Sequence, residues 1–306
     1  MTRETTPSHL PVVAIFGPTA SGKSAVAEAL AACIPAEIVS ADSMQVYRGL
    51  PILTNQPERS TRLVAIWPLD HESSVGEYQR LAHAAIDEVL AAGRTPIVTG
   101  GTGLYLRAAL ADLRLPPAPT SGARERWERV YDRLGPERTH AALTERDPAA
   151  AAAVHPNDRR RVIRALELHA AGTSLRPERD RLCSEETRHP TAIFLLHVPR
   201  EVLTRRIERR VQAMFDRGVE DEVRRAVERR ISVTARHVIG LAEVVGLPRE
   251  RAMEAIVRRT RQYAAYQRKW MRRIPGAIHL DGERPPSELA GDVLATLSRR
   301  AAASAR

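Results

Sequence analysis

One stretch near the start constrains this chain more than any other. Val12-Val13-Ala14-Ile15-Phe16 is apolar and β-branched. Gly17-Pro18-Thr19-Ala20-Ser21-Gly22-Lys23-Ser24 follows, then the alanine-rich helical pattern Ala25 to Leu30. Strand, G-x-x-x-x-G-K-[ST], helix is the context that separates a P-loop from a chance glycine turn. Gly17 and Gly22 permit backbone angles that a side chain would block. The loop amides converge on a phosphate at the positive end of the next helix. Lys23 adds a point charge on the outer phosphates, and the Ser24 hydroxyl is placed as a ligand for Mg²⁺. The only lysines among the 306 residues are Lys23 and Lys269. In a chain that otherwise uses arginine, one lysine sits where a compact, flexible ammonium is needed. A diphosphate or triphosphate is the expected ligand.

No apolar run approaches the roughly 18 residues of a membrane span. The N-terminal residues lack the apolar core of a signal peptide. Cys33 and Cys183 have no metal-ligand or disulfide spacing. A reduced, cytoplasmic protein is expected. Arg200 to Arg273 holds 20 Arg or Lys against 10 Asp or Glu, an excess matching the net charge of +10 for the whole chain. Such an excess suits a polyanion such as nucleic acid, and equally describes arginines spread over solvated helices.

Glu37 to Asp42 reads as a short strand ending in a carboxylate, which faces the crevice beyond the strand ends in an open α/β sheet. Asp42 could there hold Mg²⁺, orient a ligand or accept a proton. Ser43 to Arg48 suits a second substrate. Loops with a short strand at 64–67 are expected next, then an amphipathic helix over 76–92 closed by Gly93. Thr95 to Thr99 is another strand, running into Gly100-Gly101-Thr102-Gly103-Leu104-Tyr105, where a glycine turn lets backbone approach a ligand. Pro116, Pro117 and Pro119 mark a joint. Helices are expected over 124–134, 137–145 and 159–171, the last with Val162, Ile163, Leu166 and Ala170 inward and Arg160, Arg161 and Arg164 exposed. The expected division is a P-loop core from 1–113, a largely helical insert at 114–187, and core completion over 188–306. Strands at 191–198 and 277–281 and helices at 200–214, 220–230 and 249–273 complete the sheet's cover. Tyr263, Tyr266 and Trp270 share one face of the last helix, and the tail from 299 onward is expected to fray.

The fold class is therefore α/β, a P-loop NTPase-like parallel sheet flanked by helices. A motor ATPase would show an apolar strand ending in an acid well downstream, and neither 97–100 nor 195–198 does. This favours the nucleotide-kinase-like type, with a substrate-side base near the phosphates. A small-molecule kinase, a free-nucleotide prenyltransferase and an RNA-binding ATPase remain open on residues alone.

The P-loop, Asp42-Ser43-Met44-Gln45-Val46-Tyr47-Arg48-Gly49 and Gly100 to Tyr105 together resemble the tRNA dimethylallyltransferases. So do His155-Pro156-Asn157-Asp158, Arg161, Arg164 to Glu167, Ile239-Gly240 and the pair Gln267 and Trp270. The resemblance runs from about Val12 to Arg273. It departs from the family pattern at 51–57, at 66–68 and at Ala265-Tyr266. It implies transfer of a dimethylallyl group from dimethylallyl diphosphate to N6 of the adenine 3′ of the anticodon, in a protein expected to be monomeric. The P-loop would hold the diphosphate with Mg²⁺ near Ser24, and Thr19, Lys23 and Arg210 would assist its departure. Asp42 would deprotonate the attacking N6. Asp42 to Gln45, Thr102, Arg124 and Arg160 to Arg164 would contact tRNA, the insert gripping the anticodon stem-loop by shape and phosphate.

Overall fold

The computed structural model describes residues 11–113, 115, 122–175 and 186–304. The expectations for the N-terminal residues, the prolines at 116–119 and Cys183 lie outside them. The chain divides into two compact units, Met1–Asp112 with Cys183–Arg306, and Leu113–Leu182.

The first unit is built on five strands: β1 (Val12–Phe16), β2 (Ala36–Ser40), β3 (Thr95–Gly100), β4 (Thr191–His197) and β5 (Ile278–Asp281). All pair in parallel, in the order β2-β3-β1-β4-β5. β1 is central, and all five of its residues are buried, as a strand covered on both faces requires. Phe16 pairs with Gly100 and Leu195, and Ser40 with Thr99. The P-loop, Asp42 and the second glycine turn therefore leave the sheet at the same carboxyl edge.

Helix α1 (Lys23–Cys33) and the final helix α11 (Pro286–Ser304) pack Val26, Leu30, Leu289 and Val293 on Val13, Ile15, Phe194 and Leu196. The first unit also holds α2 (Val75–Ala91), α3 (Gly103–Leu110), α7 (Arg200–Asp216), α8 (Val219–Val227), α9 (Leu241–Gly246) and α10 (Arg249–Met271). Gly218, at φ +85°, separates α7 from α8.

The second unit contains α4 (Ala123–Arg146), α5 (Pro148–Ala153) and α6 (Arg159–Ala170). The two helical stretches expected over 124–145 are continuous apart from a kink at Gly135, φ +79°, followed by Pro136. Asp147 and Asp158 cap α5 and α6 through their side chains. Tyr131, Leu143, Val162, Ile163 and Leu166 form its core.

Several sequence expectations need correction. No strand forms at 64–67; Trp67 makes only an isolated bridge to Tyr47. Ala170 is exposed rather than inward. The tail does not fray at 299, since α11 continues to Ser304 with buried Leu289 and Val293 fixing its earlier turns. The aromatic stripe of α10 divides: Trp270 is buried, whereas Tyr266 is 54% exposed.

Candidate active site

The P-loop turns from β1 into α1 with Ala20 at φ +61° and Gly22 at φ +99°. A Cβ on Gly17 would stand 2.7 Å from Ser21 Oγ, so only glycine fits there. Beyond the strand ends lies a cavity of about 430 Å³. Thr19, Ala20, Gly22, Lys23 and Ser24 line one part of it, Asp42 and Gln45 another, and Arg206 and Arg210 reach in from α7. Burial pulls the Lys23 ammonium down from 10.5 to about 8; nearby Asp42 opposes this and Arg210 adds to it. Arg210 is likewise lowered by burial and supported by Asp42. Two partly buried cations lining one cavity form a receptor for a compact anion.

Thr19 is held from two sides. Its N–H donates to Gln267 Oε1 at 2.7 Å, and its hydroxyl accepts from Arg210 Nη1 at 3.0 Å. Arg206 donates to the carbonyls of Ser21 and Gly282, at 3.1 and 3.2 Å, tying the loop to the turn after β5. Pro18 supplies a carbonyl that accepts from Lys23 Nζ at 3.3 Å. Ser21 is buried, and its hydroxyl has no hydrogen-bond partner among the described residues. Ser24 is exposed toward the cavity.

Asp42 stands between this cationic wall and a tyrosine wall. Its charge acts on Lys23 and Arg210, and also on Tyr78, Tyr105 and Tyr263. Burial raises all three phenols, which therefore stay protonated and available as donors. Asp42 Oδ1 accepts the Met44 N–H at 2.9 Å, which orients its carboxylate. The Tyr263 hydroxyl lies 2.9 Å from Thr102 Oγ1, and Ser43 Oγ lies 3.3 Å from the same oxygen. Gln45 Nε2 donates to the carbonyls of Thr54 and Asn55, which line the cavity.

Three positioning features were given no role from sequence. Gln267, 1% exposed, is wedged against the second glycine turn, where a Cβ on Gly101 would meet its Nε2 at 2.1 Å. Glu222 accepts from the N–H groups of Ile52 and Leu53, both at 2.8 Å, and so anchors the 51–57 wall. Thr99 lines the cavity with a hydroxyl that has no partner among the described residues. Glu222 and Thr99 carry no sequence signal; Gln267 did stand out, as part of the family resemblance.

Within the second unit, Arg160 and Arg161 are exposed at the start of α6. Arg124 and Arg164 both pair with the buried carboxylate of Glu167, at 3.1 and 3.0 Å. Val162 and Ile163 require a correction as RNA contacts. They are 0% and 3% exposed in the unit's own core, because positions four and five past the Asp158 cap lie on the inward face of this amphipathic helix.

A five-stranded parallel sheet with this loop at its central strand defines a P-loop enzyme of the nucleotide-kinase-like type. Asp42 lines the same cavity as the cradle. The family model for IPP transferase matches residues 45–274, and that for isopentenyl transferase matches 10–62. The chain belongs to the IPP transferase family. A tRNA dimethylallyltransferase of Exiguobacterium sp. is 39% identical, over 91% of this chain and 93% of its own. A full-length tRNA isopentenylpyrophosphate transferase of Bacillus halodurans superimposes with a TM-score of 0.69 at 30% identity, covering 97% and 100% of the two chains. A eukaryotic dimethylallyltransferase acting on tRNA matches with a TM-score of 0.71 at 27% identity, over 89% of this chain and 74% of that one.

Proposed function

We propose that this protein is a tRNA dimethylallyltransferase, moving a dimethylallyl group from its diphosphate to N6 of the adenine 3′ of the anticodon. The observation that carries this reading is Asp42, set between a cationic phosphate cradle and the Thr102–Tyr263 wall. N6 attacks C1 of the donor; the C–N bond forms as the C1–O bond breaks, and diphosphate leaves with the bonding electrons. The N6 proton passes to Asp42, whose charge acts on Lys23 and Arg210 on one side and Tyr263 on the other. Lys23, the loop amides, Arg210 and Thr19 take up the charge that grows on the bridging oxygen. Thr19 is the hinge of this set, since Gln267 fixes its amide and Arg210 its hydroxyl.

Ser24 offers a hydroxyl at the cavity, where it would be one ligand of a Mg²⁺ ion held mainly by water and diphosphate oxygens. When bound, it would neutralise charge on the leaving diphosphate.

The target base must leave its stack to reach the cavity. On the acceptor side, Asp42 to Gln45 and Thr102 would position it. Arg124, Arg160, Arg161 and Arg164 would take phosphates of the anticodon arm, and the reaction belongs where tRNA is found, in the cytoplasm. Described residues contain no helix long and apolar enough to cross a membrane. Incubation with unmodified tRNA, dimethylallyl diphosphate and Mg²⁺, followed by nucleoside mass spectrometry, should yield N6-prenylated adenosine. Folded protein that returns the tRNA unchanged would refute the reading.

A further inference from the structure

Thr99 holds the penultimate position of β3, beside the strand that feeds the P-loop, and pairs with Ile15 and Ser40. Its carbonyl accepts the Ala41 N–H at 2.7 Å, which fixes the backbone where Asp42 leaves the sheet. Side chains alternate between the two faces of a sheet. Ile15, Ile38 and Ile97 belong to the core cluster that packs on α1 and α11. Thr99 and Ser40 follow Ile97 and Ile38 by two residues, so both lie on that same face at the carboxyl edge. There α1 begins, with Lys23 and Ser24 in its first turn. All four side chains line the cavity.

The hydroxyls of this row are not equivalent. Ser40 Oγ donates to Gln45 Oε1 at 3.2 Å, and Gln45 Nε2 donates in turn to the carbonyls of Thr54 and Asn55. Thr99 is 7% exposed, and its Oγ1 has no partner among the described residues. Ser21 and Thr95 share that state, but neither lines the cavity. A buried hydroxyl without a hydrogen bond is destabilising, so its expected partner is a polar atom in the cavity. In P-loop enzymes that cleave nucleotides, an aspartate of a later strand shares Mg²⁺ with the P-loop Ser or Thr. β3 carries no acid, and Thr99 is its last side chain before Gly100. A hydroxyl adds no charge, yet it is a hard oxygen of the kind that suits Mg²⁺ and its waters. An orphaned oxygen on the face where Ser24 opens α1 therefore fits the outer shell of this ion.

We propose that Thr99 is a positioning residue for Mg²⁺, its hydroxyl hydrogen-bonding a metal-bound water rather than the diphosphate itself. The proposal rests on diphosphate being the ligand of the P-loop. It is tested in the full chain with Thr99→Val, which keeps the shape and removes the hydroxyl, and with Thr99→Ser, which keeps a hydroxyl. Inorganic diphosphate is titrated by calorimetry over a series of MgCl₂ concentrations and in EDTA. Thr99→Val should raise the Mg²⁺ concentration for half-maximal enhancement of diphosphate affinity about tenfold, the lower end of what losing an outer-shell partner costs a metal site. Affinity in EDTA should be unchanged, and Thr99→Ser should bring the Mg²⁺ requirement back toward the wild-type value. A wild-type affinity that Mg²⁺ does not alter, or the same Mg²⁺ requirement in wild type and Thr99→Val, would overturn the proposal. So would an equal loss of affinity with and without Mg²⁺, which would put the hydroxyl on the diphosphate or on the loop. If the shift appears while unmodified tRNA gains no prenyladenosine, the role of Thr99 stands and the transferase reading fails alone.

Discussion

Lys23 is the residue at which burial and charge oppose each other most directly. Its pKa of about 8, against an ordinary 10.5, means that the free protein loses the ammonium as pH rises through 8. Diphosphate binds the protonated form, so affinity is full below pH 8 and falls above it. Binding in the upper range should take up a proton. Calorimetry with inorganic diphosphate in buffers of different ionisation enthalpy should detect that proton in the wild type, and Lys23→Gln should abolish it. A pH-independent difference between the two proteins would contradict the assignment. Asp42→Asn should lower single-turnover transfer by about 10²–10⁴, the usual worth of a positioned base, with tRNA affinity largely kept. Arg210→Gln should cost about 10²–10³ in the same assay, as loss of a charge-stabilising donor does. Near-normal turnover in either variant would reassign its role.

At the level of elements, the site depends on long-range ties between parts far apart in sequence. Gln267 of α10 holds Thr19 across 248 positions, and Glu222 of α8 holds Leu53 across 169. Gln267→Ala should leave the Thr19 N–H orphaned at a cost of about 1–3 kcal/mol and weaken diphosphate binding, whereas Gln267→Glu keeps an acceptor oxygen and should recover part of the stability. Thermal melting and diphosphate titration of the two variants check this. Such ties explain what was legible in sequence. The P-loop, Asp42 and the 100–105 turn stood out because strand, turn and helix signals are local. The roles of Thr99 and Glu222 did not, because a buried hydroxyl or carboxylate shows its purpose only through distant partners. The expected strand at 64–67 failed for a related reason. Its residues are threaded by backbone bonds from Trp67 to Val46 and Ala65 to Gln45, in a loop where Leu63 and Ala65 take positive φ. The helical character of 286–304 was missed because Leu289 and Val293 find their partners only in the distant α1 and sheet residues of the core. Periodicity placed Val162 and Ile163 correctly in the core, while the family pattern marked them as contacts; burial decides for the core.

Across the whole molecule, two charge arrangements are distinct. Lys23 and Arg210 at the cradle are lowered in pKa by burial, while Arg160 and Arg161 of the insert are exposed. Arg160→Gln with Arg161→Gln should therefore weaken tRNA binding and lower its salt slope by about 1 to 2, leaving diphosphate affinity unchanged. A loss of diphosphate affinity in that variant, read by calorimetry, would show that the two functions are not separate. The central claim is that the P-loop holds a leaving diphosphate rather than a phosphoryl donor. Its most direct test is a single-turnover reaction of tRNA with dimethylallyl diphosphate, counting inorganic diphosphate and N6-prenyladenosine together. One of each is expected per turnover, both lost in Lys23→Gln and Asp42→Ala. Orthophosphate released from ATP, with the tRNA unmodified, would contradict it.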